Sequence, residues 1–269
     1  MTEDMRGVRY TRIQIIAAVA AIVILLALVF PRPVRNAYEH TAFMIAPSAA
    51  RAAEYGKYHF SSVRPSAYDI TRAQYFYEKA ATLDAEYPYV YHQLARIEFL
   101  KGNFNTAIFY INKQIELHGD TAPNSFYVRG LIEGYMGRYT EAAEDYKHYL
   151  SLVPPNWAGI NDYAWVLLKA DRFKDAVLET DKGLALFPDN PWLLNSSAIA
   201  LYETGDLAKA KLRAEAAVSA SLKVTEREWL TAYPGNDPRV ARDGIATLRK
   251  STQDNMHMIE EAIASNGVQ

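Results

Sequence analysis

The first pattern along the chain is an apolar run near its N-terminus. Every residue from 13 to 30 is apolar except Gln14. At a rise of about 1.5 Å per residue, a helix of this length nearly crosses a hydrocarbon core of about 30 Å. A cleaved signal peptide has a shorter apolar region and a small-x-small site, whereas this run ends in Leu-Val-Phe-Pro-Arg-Pro. The run predicts an uncleaved transmembrane helix over 13–30, with a cleaved signal or a buried core helix as alternatives.

Arginines flank this run unevenly. Arg6, Arg9 and Arg12 precede it, whereas Arg32 and Arg35 follow it. Because cytoplasmic flanks carry the excess of positive charge, the bias favours a cytoplasmic N-terminus. We therefore expect a single-pass membrane protein whose remaining residues lie on the extracytoplasmic side, which is the periplasm in a bacterium. The difference is a single arginine, so the opposite topology stays open.

The second pattern is a repeat of 34 residues. Ala142, Ala176 and Ala210 stand 34 apart and close the related phrases G-R-Y-T-E-A, D-R-F-K-D-A and G-D-L-A-K-A. Each phrase couples a turn to a small residue. A period of this length is typical of stacked two-helix units rather than of one globular core. The sequence therefore predicts an all-α solenoid.

The units resemble the tetratricopeptide repeat (TPR) family, whose members carry an aromatic residue, a Leu-Gly/Ala pair, a Gly-Asp/Asn-Tyr turn and an alanine in the second helix. Residues 88–119 match well, and further units follow at about 123–154, 157–188 and 191–221. The matching residues of the first unit are Tyr91, Leu94, Ala95, Gly102-Asn103-Phe104 and Ala107. The resemblance implies a right-handed TPR α-solenoid.

The stretch before these units fits the pattern only in part. Ala73 lies 34 residues before Ala107 and fits a second helix over about 66–84. Gly56 interrupts the preceding stretch, and several loop-forming residues follow it, so we expect only a degenerate leading helix near 48–58.

The C-terminal stretch predicts a further helix. Asp237-Pro238 forms a good helix start, and apolar residues recur at helical spacing after it. This helix would cap the open end of the solenoid, with partner binding as the lesser alternative. The predicted organisation, in chain order, is a tail (1–12), the anchor (13–30), a juxtamembrane segment with the degenerate leading helix (31–65), a TPR array of a half unit and four repeats (66–221) and capping helices (222–269).

The resemblance also implies where a partner binds. First helices of TPR units line a concave groove, and the family's ligands are usually peptides lying in it. The partner-binding positions carried over by alignment are Tyr89, His92, Arg96, Phe99, Tyr127, Leu131, Tyr135, Asn161, Trp165, Lys169, Trp192, Asn195 and Tyr202.

Two groups among these positions leave alternatives open. Asn161 and Asn195 lie 34 apart, so their amides either hold a peptide backbone or bond neighbouring side chains across the stack. The aromatic residues either bind a partner or fill the interior of the superhelix. A carboxylate clamp of the kind found in some TPR domains is not predicted, because His92, Arg96 and Val128 stand at the clamp positions.

Composition narrows the function further. The chain has no cysteine, so disulfides and thiolate metal sites are excluded. The formal charge is -2, and the chain shows no Lys/Arg stripe, which argues against nucleic-acid binding. Its six histidines are scattered, and no catalytic, phosphate-binding, metal or cofactor motif is present.

These observations predict a non-enzymatic, membrane-anchored scaffold that binds a protein or peptide partner and serves an envelope complex. The alternatives are a constitutive structural subunit of a larger membrane complex and a cytosol-facing targeting receptor.

Overall fold

The computed structural model describes residues 12–233 and 235–266, and every regular element in these ranges is helical. The tail predicted over residues 1–12 lies almost wholly outside the described residues. The α-helices are α1 (Arg12–Val29), α2 (Pro31–Ile45), α3 (Ala49–His59), α4 (Ile70–Leu83), α5 (Val90–Leu100), α6 (Phe104–His118), α7 (Asn124–Tyr135), α8 (Tyr139–Leu152), α9 (Trp157–Lys169), α10 (Phe173–Leu186), α11 (Pro191–Glu203), α12 (Leu207–Leu222), α13 (Glu226–Ala232) and α14 (Ala241–Asn266).

The apolar run folds as helix α1 and stops at a sharp bend. Pro31 opens α2 directly after Phe30, and a proline following a residue disfavours the helical conformation of that residue. Across the described part of the chain, no single helix has both the length and the hydropathy needed to cross a membrane. Ile13–Leu26 and Pro31–Ile45 meet that test only jointly, as a pair bent by 116°.

A buried charged cluster fastens α2 to the array. Glu39 is fully buried, and its Oε2 lies 2.7 Å from His59 Nε2 on α3 and 3.1 Å from Arg72 Nε on α4. Its Oε1 accepts a hydrogen bond from Arg35 Nε at 2.7 Å. A buried carboxylate without such partners would be strongly unfavourable. The cluster therefore fixes the position of α2 on the first two helices of the array.

The leading unit is a helix pair, in which α3 corresponds to the leading helix predicted near 48–58 and α4 to the second helix predicted over about 66–84. Gly56 does not interrupt α3 but lets it approach α4 closely, because a Cβ there would lie 2.9 Å from the ring of Tyr77. Residues 60–69 form a long connection between the two helices. Helix α4 begins at Ile70 rather than near 66, since the Asp69 side chain caps it by accepting from Arg72 N at 2.9 Å.

Four further pairs follow: α5/α6, α7/α8, α9/α10 and α11/α12. Each pair meets at a small residue of its first helix, and a Cβ on Gly130 would lie 3.1 Å from the Ala142 carbonyl oxygen. Three of the four tight turns place glycine at positive φ, whereas the third places Asp171 at φ 56°. The alanines that set the period, Ala73, Ala107, Ala142, Ala176 and Ala210, are all fully buried.

The α7/α8 pair also contains a partly buried ion pair. Arg129 on α7 donates to both carboxylate oxygens of Asp145 on α8, at 2.6 and 2.7 Å. Glu133, one turn further along α7, has its pKa raised to about 7 by burial and by the negative charge of Asp145. The two carboxylates therefore compete for one arginine.

The C-terminal part folds back on the last pair. Helix α14 packs mainly along α12 and also touches α11, with Ile259 fully buried between them. The predicted start at Asp237 is a 3₁₀ turn over Pro238–Val240 that leads into α14. Helix α13, only seven residues long, is held by Trp229, whose indole lies against Gly244 of α14. Helix α14 thus covers the end of the stack.

Candidate partner-binding surface

The inner side of the stack is lined by the first helices of the units. Helix α5 contacts α7, α7 contacts α9, and α9 contacts α11. First helices approach one another in this way on the concave side of a curved stack. All of the predicted partner-binding residues lie on these helices or directly before them, but they divide into an open part and a covered part.

His92 does not belong to the open surface. Its side chain is buried, its ring Nδ1 lies 3.5 Å from Ser125 Oγ, and its backbone N–H donates to Gln114 Oε1 at 3.1 Å. Burial, aided by the nearby Arg96, lowers the pKa of His92 to about 3, so its imidazole is neutral. Its role is packing beneath Tyr89, whose ring meets it edge-on at 5.6 Å.

The two amides predicted as a peptide clamp are engaged elsewhere. Asn161 Oδ1 accepts from Ser196 Oγ of the next first helix at 2.8 Å, and its Nδ2 donates to Asp162. Asn195 Oδ1 accepts from Asn255 Nδ2 of α14 at 2.9 Å. Both amides therefore bond neighbouring side chains, the second of the two alternatives that the sequence left open.

Four aromatic residues form an open cluster, which we call the aromatic patch: Phe99, Phe104, Tyr135 and Trp165. Tyr135 lies at its centre, with ring centroids 5.1 Å from Phe99, 6.2 Å from Phe104 and 5.5 Å from Trp165. Tyr135 is 58% exposed. The patch joins three successive units, so its members hold each other in place while the Tyr135 ring remains accessible.

A glycine makes this cluster possible. A Cβ on Gly134 would lie 2.6 Å from Cζ3 and 3.1 Å from Cη2 of Trp165. Only a residue without a side chain lets the indole approach the backbone of α7 so closely. Lys169, one turn beyond Trp165 on α9, is exposed. The open part thus combines aromatic faces with a cation at its edge.

The remaining part of the concave side is covered by the chain itself. After α13 the chain makes a tight turn, which we call the inner turn (Tyr233 and residues 235–237). Asn236 N–H donates to Tyr233 O at 3.2 Å, and Gly235 has φ 95°, a left-handed conformation that favours glycine. The Tyr233 ring meets the Trp192 ring at 6.2 Å, and Trp192 in turn stacks on Trp157 at 4.9 Å.

The tip of the inner turn reaches the leading unit. The Tyr68 hydroxyl donates to Gly235 O at 2.7 Å, in a buried hydrogen bond between residues 167 positions apart. Gly235 also lies against the Arg96 guanidinium, and a Cβ there would lie 3.1 Å from Phe60 Cζ. Burial and the negative charge of Asp237 raise the pKa of Tyr68 to about 12. The tip is therefore closely fitted on several sides.

Beneath the inner turn lies an acidic group. Asp162 on α9 accepts from the Tyr127 hydroxyl at 2.5 Å and from Asn161 Nδ2 at 3.2 Å. Burial raises the pKa of Asp162 to about 6, although these two hydrogen bonds oppose the rise. Burial and the negative charge of Asp162 raise the pKa of Tyr233 to about 12. Tyr127 is thereby held in the interior rather than offered to a partner.

The other predicted positions have mixed environments. Leu131 packs in the cluster between the second and third units, and Tyr202 packs beside the core that includes Ile259 of α14. Arg96 is half-buried and lies over the Phe60 ring at 5.0 Å. Tyr89 remains 37% exposed. Among the described residues, no group of three or more His, Asp or Glu side chains is placed to hold a metal ion.

The sequence reasoning missed Phe104, Asp162 and the whole inner turn. Phe104 stands in the turn phrase of its unit, and nothing in that phrase indicates that its ring meets Phe99 and Tyr135. Asp162 stands beside a position assigned to the groove. The Tyr-Pro-Gly-Asn order of residues 233–236 is a turn signal, but it says nothing about where the turn is placed.

Comparison with known proteins agrees with this geometry. Residues 88–120 match the family model of the tetratricopeptide repeat. The fold is similar to a crystal structure of MamA protein, with 16% identity and a TM-score of 0.55 over 65% of this chain and 92% of the other. It is also similar to YrrB, described as a TPR protein with an unusual peptide-binding site, with 17% identity and a TM-score of 0.51 over 70% of this chain and 97% of the other.

A search of the curated protein sequences gives no match. The repeat match identifies one tetratricopeptide repeat, and the shared fold confirms the all-helical, TPR-like fold predicted from the sequence. At this level of identity, the likeness to solved structures concerns the fold alone.

Proposed function

We propose that this protein is a membrane-anchored TPR scaffold that holds a protein partner of an envelope complex through its aromatic patch. The observation that carries the proposal is the exposed Tyr135 ring, fixed among Phe99, Phe104 and Trp165. Rigid aromatic side chains bury a large area at low entropic cost, and they are enriched at the centres of protein interfaces. The proposal has no catalytic step, and the role is that of a non-enzymatic scaffold.

The anchor is part of the same proposal. Helix α1 exposes apolar side chains along its whole length, including Ile13, Leu28 and Val29. Such a surface requires a covering, and the proposal assigns this role to a lipid bilayer, with the bend into α2 as part of the anchor because α1 passes the test for a membrane span only together with α2. The arginine bias supports a cytoplasmic N-terminus, with the helical array on the extracytoplasmic side.

A crosslinking experiment tests the partner site. A photoreactive phenylalanine analogue replaces Tyr135 in the full chain in its native membrane, and Phe109 on α6 serves as the matched control because it is 63% exposed. We expect a discrete crosslinked protein from position 135 and none from 109. That product disappears when Trp165→Ala removes the ring supporting Tyr135. A product from 109 but not from 135 would place the partner elsewhere.

The same crosslink separates a scaffold from a constitutive subunit. When the membranes are washed with salt before irradiation, a scaffold gives a lower crosslink yield, because its exchangeable partner is removed. A permanent subunit gives the same yield, at fixed stoichiometry, with and without that wash.

Topology is tested with single cysteines, because the natural chain has none. Leu178→Cys, at an exposed position of α10, should react with a membrane-impermeant maleimide added outside the cytoplasmic membrane, whereas Thr2→Cys should not. The reverse pattern would invert the proposed orientation.

A further inference from the structure

Helix α2 turns its charged residues toward the protein and uncharged residues outward. On the side that faces the array, Glu39 and Phe43 are buried. The Arg35 guanidinium on this side lies over the Tyr58 ring of α3, 3.4 Å from the ring centroid. A helix on a protein surface ordinarily turns its charged residues to water. The outward side of α2 therefore calls for a neighbour other than water.

The outward side of α2 carries a continuous strip of exposed, uncharged residues, with His40 at its edge. We call it the outer strip, and its members are Ala37, Tyr38, Thr41, Met44 and Ile45. Tyr38, Met44 and Ile45 are 64%, 66% and 79% exposed. These residues share one side of α2 because they recur at spacings of three and four. An exposed apolar surface of this kind marks an interaction with a protein or a membrane.

The outer strip begins where the proposed anchor ends. Every described side chain of α1 between residues 13 and 30 is exposed, so α1 projects away from the array instead of packing on it. The chain then bends by 116° into α2. Because this bend slightly exceeds a right angle, an α1 that crosses the bilayer leaves α2 near the membrane plane, with its C-terminal end inclined toward the lipid. Met44 and Ile45 lie at that end.

Arginines gather where α1 joins α2. The Arg32 side chain donates to the Ser66 carbonyl oxygen, and the Arg64 guanidinium lies 5.3 Å from the centroid of the same Tyr58 ring that Arg35 covers. Cations beside an apolar helix face suit a bilayer surface, where phosphate groups adjoin hydrocarbon. A second copy of the chain, docked through the same face, would instead bring like charges toward each other. The charges therefore favour lipid as the neighbour of α2.

We propose that α2 is an interfacial helix whose outer strip lies in the headgroup region of the bilayer. The inference rests on the proposed membrane anchor and adds a second lipid contact to it. Glu39 bonds to His59 on α3 and to Arg72 on α4, so an α2 that lies on the membrane also fixes the orientation of the array. The array then stands on the bilayer in one pose instead of swinging from α1 as from a flexible tether.

Site-directed spin labelling of the full chain tests this contact, since the natural chain has no cysteine. Met44→Cys carries a nitroxide on the outer strip, and Leu212→Cys on α12 is the matched control because both positions are 66% exposed. Each variant is reconstituted in vesicles of phosphatidylcholine and phosphatidylglycerol. Electron paramagnetic resonance measures collisions of the label with oxygen, which concentrates in lipid, and with a nickel complex confined to water.

We expect the ratio of oxygen to nickel collisions at position 44 to exceed the ratio at 212 by about fivefold or more, as for a label at the boundary of headgroups and acyl chains. Equal ratios at the two positions would overturn the inference. Spin–spin broadening at position 44 that vanishes on dilution with unlabelled chain would also overturn it, because a second copy would then cover the strip.

A third label, Val23→Cys near the middle of α1, separates this inference from the proposed anchor. A lipid-like ratio at 23 with a water-like ratio at 44 removes the interfacial helix and leaves the anchor in place. A water-like ratio at 23 removes the anchor and, with it, the contact inferred for α2. Lipid-like ratios at both positions, with a water-like ratio at 212, support both.

Discussion

Asp162 gives the sharpest quantitative prediction. Its carboxylate lies beneath the inner turn, and burial raises its pKa from 3.8 to about 6. At 1.36 kcal/mol per pKa unit, and allowing for its partial solvent exposure, the charged form costs the folded state about 2–3 kcal/mol at neutral pH. Asp162→Asn removes this charge and keeps an oxygen that can accept from the Tyr127 hydroxyl, but it loses the acceptor of the Asn161 Nδ2 hydrogen bond, which is worth about 1 kcal/mol. We therefore expect the variant to be more stable than the wild type by about 1–2 kcal/mol at pH 7.5.

The sign of the pH dependence follows from proton binding. Between pH 4 and 6 the folded wild type holds a proton on Asp162 that the unfolded chain has lost, so this contribution to stability falls as pH rises through that window. The advantage of Asp162→Asn should be small near pH 4, grow up to about pH 6 and stay constant above it. Glu133 and His92 titrate in both proteins, so their contributions cancel in the difference.

Denaturant unfolding followed by tryptophan fluorescence measures this difference. All four tryptophans lie between Trp157 and Trp229, in the region around Asp162. Asp189→Asn, at an exposed site in the connection after α10, controls for the loss of one negative charge. A difference between Asp162→Asn and wild type that does not change with pH, or a loss of stability at every pH, would refute the assigned environment.

Three further substitutions test the packing. Arg129→Ala should lower the free energy of unfolding by about 3 kcal/mol in the same assay, because it leaves the buried Asp145 carboxylate without its partner; an effect below about 1 kcal/mol would contradict the bidentate pair. Glu39→Gln should speed amide hydrogen exchange in α2 while leaving exchange in the α9/α10 and α11/α12 pairs unchanged. If α2 exchanges at the wild-type rate in this variant, the charged cluster does not hold α2 on the array. Gly56→Val should destabilise the leading unit by about 1–3 kcal/mol, since the added atoms meet the Tyr77 ring; an unchanged unfolding midpoint would contradict the close packing of Gly56 against Tyr77.

The repeat register could be predicted because it depends on local and periodic features. A small residue where two helices cross and a turn phrase before the second helix recur every 34 or 35 residues, and each acts within its own pair. Ala107, Ala142, Ala176 and Ala210 are fully buried for that reason. The leading unit fits the repeat pattern only in part because the connection between α3 and α4 is longer than in the other units, which shifts Gly56 out of the 34-residue spacing.

The candidate site could be predicted only in part. Phe99, Tyr135 and Trp165 were assigned to one face by the register alone, and the structure brings their rings together. Whether each groove position is open depends on what lies above it. Asn195 is engaged by Asn255, which follows it by 60 positions, and no periodic pattern relates the two.

By itself, the sequence determined the helical class, the two-helix units and the face on which each position lies, because helix periodicity and close helix contacts are encoded within about 34 residues. The tertiary structure alone decided which part of that face is accessible. Tyr68 meets Gly235 across 167 positions, and the fit depends on the curvature of the whole stack and on the turn after α13. Neither is a property of any single repeat, so the open aromatic patch and the covered part of the concave side become distinct only once the chain is folded.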